Sequence, residues 1–348
     1  MRYTDVCIET ISYILPPRVV TSEMIETWLK PLYDRLKLPE GRLELMTGIH
    51  ERRMWDPGTH PSEVSAQAGA KALEQAGLSP SDIGCLVHAA VSRDFVEPAT
   101  STAVHRLLGL PPSALNFDIS NACLGVLTGI IVVANMIQVG QIDTGLIVAG
   151  ENGGPLVTGT VERLNKDETL TRRTIKPEIA SLTIGSAATA VILRRASLSQ
   201  SGHQLLAATS LADTTNNHLC QGSADTAMDG SSVPIMHTDS HELLVRGIDL
   251  AARTWERAKG VLDWENGTPD TICGHQVGRA HSEQLCERLG LDSDKIFSTF
   301  EFLGNCGSAS LPVTTAMAAE QGFLKKGHRL AMLGIGSGIN STMLGVRW

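Results

Sequence analysis

Several features are scarce in this sequence, and each scarcity excludes a class of protein. Aromatic residues make up 4% of the 348 residues whereas glycine occurs 33 times, a composition that favours a layered α/β enzyme over a β-sandwich. The longest apolar stretch, 127–137, is interrupted by Thr128 and Asn135 and is shorter than the ~20 residues of a membrane-spanning helix. The first residues contain no apolar core of a signal peptide. We therefore expect a soluble protein without a membrane span.

Positive charge and paired cysteines are also scarce. Lys plus Arg number 29 against 37 Asp plus Glu, a formal net charge of −8, and no long basic run occurs. A nucleic-acid or anionic-membrane partner is therefore disfavoured. The seven cysteines form no C-x-x-C pair, which is typical of free thiols in a reducing, cytoplasmic compartment. No histidine pair has the spacing of a zinc site, so we expect no metal.

An internal repeat organises the chain. A shift of 184 positions lays residues 121–150 over 305–334, and each segment passes from an asparagine through a small-residue apolar helix to an apolar strand. Chance similarity is the alternative, but a single shift relates a turn, a helix and a strand. The repeat predicts two α/β halves, 1–195 and 196–348, with the active site between them.

A third match has a different spacing. Ile184-Gly-Ser resembles Ile335-Gly-Ser at a shift of 151 positions, so the first half carries an insertion at about 151–183. This stretch is interpreted as a long excursion from the core, and such excursions are often functional or interfacial. Its apolar residues Leu156, Val157 and Val161 are expected to contact a second subunit.

Cys123 is the candidate nucleophile. The strand-like Asn116-Phe-Asp-Ile-Ser runs into Asn121-Ala-Cys123, and an apolar helix is predicted to begin near Leu124. A helix start lowers the pKa of a thiol and supplies N–H groups for an oxyanion. A buried structural cysteine is the common alternative, and it is the interpretation that we adopt for Cys7, Cys85, Cys220, Cys273 and Cys286.

Two polar residues at predicted strand ends are candidate partners. His275 is flanked by Gly274 and follows the apolar Thr271-Ile272, so it is placed to project from the end of a strand. Asn305 occupies the repeat position of Asn121. A helix cap is its structural alternative, and donation of an amide N–H beside His275 is its functional interpretation.

The motifs together resemble the thiolase superfamily, and within it the β-ketoacyl-acyl-carrier-protein synthase III branch. The similarity rests on Thr47-Gly-Ile-His-Glu-Arg-Arg53, Asn121-Ala-Cys123, Gly274-His275-Gln276, Gly304-Asn305 and Gly336-Ser337-Gly338. It implies duplicated α/β halves in a five-layered αβαβα thiolase fold, a homodimer, and an acyltransferase that uses Cys123, His275 and Asn305. It also implies an oxyanion site made by the backbone N–H groups of Cys123 and Ser337.

One further motif narrows the branch. Ser92-Arg-Asp-Phe-Val-Glu97-Pro-Ala-Thr100 precedes Cys123, with Glu97 lying 26 positions before it. The motif is similar to that of the superfamily members that join two acyl chains in olefin or β-lactone biosynthesis, where a glutamate of the partner subunit is the base. An acid at the start of a helix is the structural alternative for Glu97. Cys306 and Gly278 depart from the residues usual in synthase III loops.

The resemblance implies a non-decarboxylative Claisen condensation of two long-chain fatty acyl-CoAs to a 2-alkyl-3-ketoacyl product. Coenzyme A thioesters would be substrates, no cofactor would be bound permanently, and downstream pathway enzymes would be further partners. The CoA-contacting side chains are not assigned. Two alternatives remain open: a decarboxylating synthase that uses a malonyl thioester, and a thioester hydrolase that needs Cys123 and His275 but no enolate base.

Overall fold

A computed structural model describes residues 1–222, 236–275 and 278–348. Its strands are β1 Val6–Ile14, β2 Arg18–Thr21, β3 Glu51–Met54, β4 Cys85–His88, β5 Leu115–Asp118, β6 Thr144–Glu151, β7 Ala187–Arg195, β8 His203–Ala212, β9 Cys220–Gly222, β10 Met236–Thr238, β11 Thr271–Gly274, β12 Ile296–Phe297, β13 Arg329–Gly336 and β14 Asn340–Arg347. Its helices are α1 Ser22–Trp28, α2 Lys30–Leu36, α3 Arg42–Thr47, α4 Pro61–Ala76, α5 Thr100–Leu108, α6 Gly125–Gln138, α7 Gly154–Lys166, α8 Ile179–Leu182, α9 Ser240–Leu262, α10 Arg279–Leu289, α11 Phe300–Leu303 and α12 Ser310–Glu320.

Ten strands form one sheet whose order repeats from its centre outward. The order is β12-β11-β13-β14-β8-β1-β7-β6-β4-β5, so β6 and β13 are each third from the centre, and β4 and β11 are each fourth. The two central strands, β1 and β8, pair only through residues 7–8 and 203–204. The repeated segments at 121–150 and 305–334 therefore occupy equivalent positions in two five-stranded halves.

Helices lie on both faces of each half-sheet. α6 and α12 pack between the halves, where α6 contacts strands of both and its Ile130, Val133 and Ile137 are fully buried. α4 and α5 cover the outer face of the first half, and α9 covers that of the second. The resulting α-β-α-β-α layers confirm the predicted thiolase fold. The apolar helix α6 occupies the central layer, where it is covered on all sides.

The insertion at 151–183 is helical and is attached to the chain's own core. It contributes α7 and α8, which pack with α1–α3 in one apolar cluster. Val157 is 0% and Val161 is 7% exposed, so the expectation that they contact a second subunit is wrong. Their apolar face is already buried against α1 and α2 of the same chain.

The connection between β7 and β8 is our proposed boundary between the two halves. We infer a boundary at 195/196, because β7 ends at Arg195 and β8 begins the second set of five strands. Among the helices that the structure describes, none is long and apolar enough to cross a membrane.

Candidate active site

Cys123 lies where β5 passes into α6. A short 3-10 turn, Ala122–Leu124, precedes α6, which begins at Gly125 as the sequence predicts. Ala122 adopts a left-handed φ of 45°, a strained conformation for a residue with a side chain that commonly marks functional turns. The turn packs closely on the end of β4, since a methyl group on Gly125 would lie 2.0 Å from the carbonyl oxygen of Ala89. This packing fixes the half-buried Cys123 at the helix entrance.

The pKa of the Cys123 thiol differs from the sequence-based expectation. Burial, reinforced by the negative charge of Glu151 and by the thiol of Cys220, raises this pKa to about 12, although the N–H of Cys123 opposes the shift. The predicted lowering at a helix start is therefore outweighed by desolvation. Cys123 rests as a neutral thiol and must transfer its proton when it attacks a thioester.

The glycine turn between β13 and β14 approaches the nucleophile. A methyl group on Gly336 would lie 3.6 Å from the backbone nitrogen of Cys123. Asn340 spans the contact, because its Nδ2 donates to the carbonyl oxygen of Ser337 at 3.3 Å and to Oδ1 of Asn121 at 3.2 Å. The end of β13 thus lies against the backbone of Cys123, and Asn340 links Ser337 to the residue two positions before Cys123.

Asn305 is held so that its side-chain amide has a defined direction. Its backbone pairs with the Ile184 segment: its N–H donates to the Thr183 carbonyl and its carbonyl accepts from the Gly185 N–H, both at 2.9 Å. Its Oδ1 accepts from the Gly307 N–H at 3.0 Å and from Ser310 Oγ at 3.4 Å. Because Oδ1 is held by these donors, the Nδ2 group is the one that the side chain can offer to a further acceptor.

The Asn305 loop also contacts the Cys123 turn. The 3-10 turn Gly307–Ala309 packs on Ala122–Leu124, and a methyl group on Gly125 would lie 3.5 Å from Cβ of Ser308. The two turns occupy matching positions in the repeat. The structure therefore brings Cys123, Ser337 and Asn305 into one region between the halves.

His275 follows β11 and is 8% exposed. Its N–H donates to the carbonyl oxygen of Leu333 at 2.9 Å, which extends the register of β11 and β13 toward the Gly336 turn. A narrow, mainly apolar cleft is lined in part by His275. Its walls include Ile272, Leu285, Leu291, Ile296, Phe300 and Leu333. Gln276 of the predicted histidine motif lies outside the described residues.

Glu97 occupies a different environment, in the loop 91–99 between β4 and α5. It is exposed on the single chain, and Phe95 beside it is 57% exposed. The loop is held at both sides of Glu97. Oδ1 of Asp94 accepts from the Ser62 N–H at 2.9 Å, and Asp118 accepts at 2.8 Å from each of the first two N–H groups of α5. Asp118 therefore provides the helix-start carboxylate, a role that the sequence left open for Glu97.

Sequence reasoning missed Glu151. This last residue of β6 is 4% exposed, and its charge acts on Cys123. The sequence feature that could have indicated Glu151 is an acidic residue directly after the apolar run 146–150, at the carboxyl end of a strand. Such an acid commonly belongs to a loop, so the sequence alone gave no reason to place it at the site.

The chain matches known proteins over its whole length. The thiolase N-terminal domain matches residues 45–191, and the 3-oxoacyl-[acyl-carrier-protein (ACP)] synthase III C-terminal domain matches 262–348. An acyl-CoA:acyl-CoA alkyltransferase of Shewanella oneidensis is 39% identical over 351 positions, and one of Xanthomonas campestris is 36% identical over 348; each comparison covers 100% of both chains.

Solved structures of Xanthomonas campestris OleA share the fold at 36% identity. One covers 100% of this chain and 98% of that chain with a TM-score of 0.93. Another, which contains lauric acid and lauroyl-CoA, covers 99% of this chain and 100% of that chain with a TM-score of 0.93. The chain therefore belongs to the thiolase superfamily and, within it, to the acyl-CoA:acyl-CoA alkyltransferase family.

Proposed function

We propose that this enzyme condenses two long-chain fatty acyl-CoAs by a non-decarboxylative Claisen reaction. The product is a 2-alkyl-3-ketoacyl compound destined for olefin or β-lactone biosynthesis. The observation that carries the proposal is the meeting of Cys123, the Gly336–Ser337 turn and the Asn305 loop, with a separate carboxylate, Glu97, presented on an adjacent exposed loop. The names of the full-length relatives support the same reaction class.

Acylation of Cys123 is the first half-reaction. The sulfur attacks the carbonyl carbon of one acyl-CoA, the carbonyl oxygen becomes an oxyanion, and the coenzyme A thiolate leaves. The N–H groups of Cys123 and Ser337 stabilise that oxyanion. The thiol proton must leave during attack because the pKa of Cys123 is about 12, and the departing coenzyme A sulfur is its final acceptor.

Formation of an enolate is the second half-reaction. Glu97 removes a proton from C2 of the second acyl-CoA, and His275 and Asn305 stabilise the negative charge on its thioester oxygen. The C2 carbon then attacks the carbonyl carbon of the Cys123 thioester and the C–S bond breaks. The leaving Cys123 thiolate takes up the proton that Glu97 removed, which restores the resting thiol and carboxylate. Solved OleA variants support the base, because the glutamate and cysteine replaced in them lie 26 positions apart, as Glu97 and Cys123 do.

The exposed edge of the first half-sheet supports a homodimer. β5 is the last strand of the sheet, and Leu115 on it is 47% exposed. Phe95 and Val96 on the loop 91–99 add apolar surface next to Glu97. Unpaired strand edges and apolar patches are normally covered. A two-fold partner at this edge covers both features and brings Glu97 to the partner's site.

Light scattering should report about twice the chain mass of 37.2 kDa. Phe95→Asp places a charge within the proposed interface, so it should shift the mass toward one chain and lower condensation. Val245→Asp is the matched control, because Val245 is an exposed apolar residue on α9 in the outer layer. A fully active monomer at assay concentration would contradict the proposed assembly.

His275→Ala and Asn305→Ala should both retain some acylation and lose most condensation. Each variant removes one group that stabilises the enolate oxygen, and loss of one such donor commonly costs about 10²–10³ in rate. Intact mass after brief exposure to acyl-CoA measures the adduct, and product mass measures condensation. Near-normal condensation by either variant would remove that residue from the enolate site.

Incubation with one acyl-CoA and no malonyl donor tests the proposed reaction. A β-keto product containing two acyl chains supports it. Release of fatty acid alone would instead identify a thioester hydrolase. No turnover until a malonyl thioester is added would identify a decarboxylating synthase.

We also propose a cytoplasmic enzyme that passes its product to downstream pathway enzymes. The seven cysteines are free thiols, which suits a reducing compartment. The substrates are coenzyme A thioesters, and the chemistry of Cys123, Glu97, His275 and Asn305 requires no permanently bound cofactor.

A further inference from the structure

One buried carboxylate joins two loops of the proposed site. Oε1 of Glu151 accepts hydrogen bonds from the Val91 N–H at 2.9 Å and from the N–H and Oγ of Ser308 at 3.0 and 2.7 Å. Oε2 accepts from the N–H and Oγ of Ser92 at 3.1 and 3.0 Å. Five donors from separate parts of the chain therefore compensate the burial of this charge.

The two sets of donors belong to functionally different loops. Val91 and Ser92 begin the loop that carries Glu97, and Ser308 lies in the turn that directly follows Asn305. Val91 and Ser92 lie after the end of β4, and Ser308 lies before the start of α12. The donors therefore lie outside the strands of the central sheet. The carboxylate provides the directional link between them.

The surrounding backbone is built to admit this carboxylate. Gly307 has a left-handed φ of 55°, and a methyl group there would lie 2.7 Å from Oε1 of Glu151. The Trp55 indole N–H donates to the carbonyl oxygen of Glu151 at 3.0 Å and so fixes its main chain. Apolar packing would fill such a space without the desolvation cost of a charge. A carboxylate adds what apolar packing lacks, which is fixed hydrogen-bond directions.

We propose that Glu151 is a positioning residue for condensation, holding Asn305 in its own site and the loop that delivers Glu97 to the partner's site. This inference rests on the proposed function. It predicts that loss of Glu151 slows carbon–carbon bond formation more than acylation. The reason is that Val91, Ser92 and Ser308 donate to Glu151, whereas Cys123 and Ser337 do not. A displacement of about 1 Å in a catalytic group costs on the order of 10²-fold in rate.

The charge of Glu151 gives a second, independent readout. Burial raises the pKa of Cys123 most, Glu151 and Cys220 raise it further, and the N–H of Cys123 lowers it. His88 also interacts with Glu151, and burial lowers the pKa of its imidazole. Removal of the Glu151 charge therefore shifts the pH profile of Cys123 alkylation by iodoacetamide toward lower pH. A residue that supports only the fold does not move that profile.

Three variants separate charge from positioning. Glu151→Gln removes the charge and turns an NH₂ group toward one set of donors. Glu151→Asp keeps the charge and shortens the side chain by one methylene. Glu26→Gln is the control, because Glu26 is also buried and accepts from Tyr33 and from the N–H groups of Gly41 and Leu43, but lies on α1.

Glu151→Gln should form the Cys123 adduct and condense about 10–100-fold more slowly than wild type. Its pH profile of Cys123 alkylation should lie at lower pH than that of wild type. Glu151→Asp should condense slowly with the profile unchanged, and Glu26→Gln should change neither. Condensation within twofold of wild type by Glu151→Gln would overturn the inference. If that variant fails to fold, the double variant Ser92→Ala with Ser308→Ala removes both hydroxyl donors to Glu151 and keeps the three backbone N–H donors. Normal condensation by the double variant would overturn the inference. Absence of a two-chain product from wild type would refute the proposed function instead, while the alkylation profile would still report on Glu151.

Discussion

Cys123→Ala should form no acyl adduct and should condense no acyl-CoA. The variant removes the only atom proposed to bond to the first acyl chain, and loss of a catalytic nucleophile costs on the order of 10⁴-fold or more. Intact protein mass after brief exposure to acyl-CoA should rise by one acyl group in wild type and remain unchanged in the variant. The substitution is small and Cys123 is half-buried, so the fold should survive.

Cys220→Ala is the matched control for this result. Cys220 is the other half-buried cysteine among the seven, whereas the remaining five are buried. If exposure alone caused acylation, Cys220 would be modified as well and its loss would lower the adduct yield. We expect one adduct in Cys220→Ala, as in wild type. An adduct that persists in Cys123→Ala would remove Cys123 from the reaction.

Local patterns explain why much of the fold and part of the site could be predicted. The passage from strand to Asn121-Ala-Cys123 to apolar helix depends on neighbouring residues only, and the structure has β5, the turn and α6 in that order. The 184-residue repeat gave the equivalence of Asn121 and Asn305 without any contact information, and the order of the half-sheets agrees with it. Such features can be predicted from the sequence because hydrophobic periodicity and turn chemistry depend on only a few neighbouring residues.

The properties that the sequence did not predict depend on distant contacts. Glu151 gains its five donors from positions 59–60 residues before it and 157 residues after it, and no local pattern relates them. The burial of Val157 and Val161 depends on α1–α3, more than 100 positions earlier. The thiol pKa of Cys123 was expected to fall because only the helix start could be read, whereas the burial and the Glu151 charge that raise it come from tertiary packing.

Glu97→Gln should retain acylation of Cys123 and lose condensation. Glutamine preserves the shape of the side chain but cannot accept the C2 proton, and loss of a positioned general base costs about 10²–10⁴ in rate. The structure supports this role over the alternative of a helix-start acid, because Asp118 already binds the first N–H groups of α5. Glu97 instead lies exposed beside Phe95 and Val96.

A helix-start acid elsewhere provides the control. Glu23 lies in the first turn of α1 and is exposed, so Glu23→Gln removes a charge of the same kind without removing the proposed base. It should acylate and condense as wild type does. Wild-type condensation by Glu97→Gln would return Glu97 to a structural role and favour a decarboxylating synthase, which needs no base at this position.

Mixing Glu97→Gln with Cys123→Ala chains tests whether the base acts across the dimer. When Glu97 serves the partner's site, a heterodimer has one site with both groups intact and one site with neither. Random exchange makes half of the dimers mixed, so activity should recover to about a quarter of wild type. When Glu97 serves its own chain, every site keeps one lesion and the mixture stays inactive. The exposure of Glu97 beside the exposed apolar side chains of Phe95 and Val96 leads us to expect recovery.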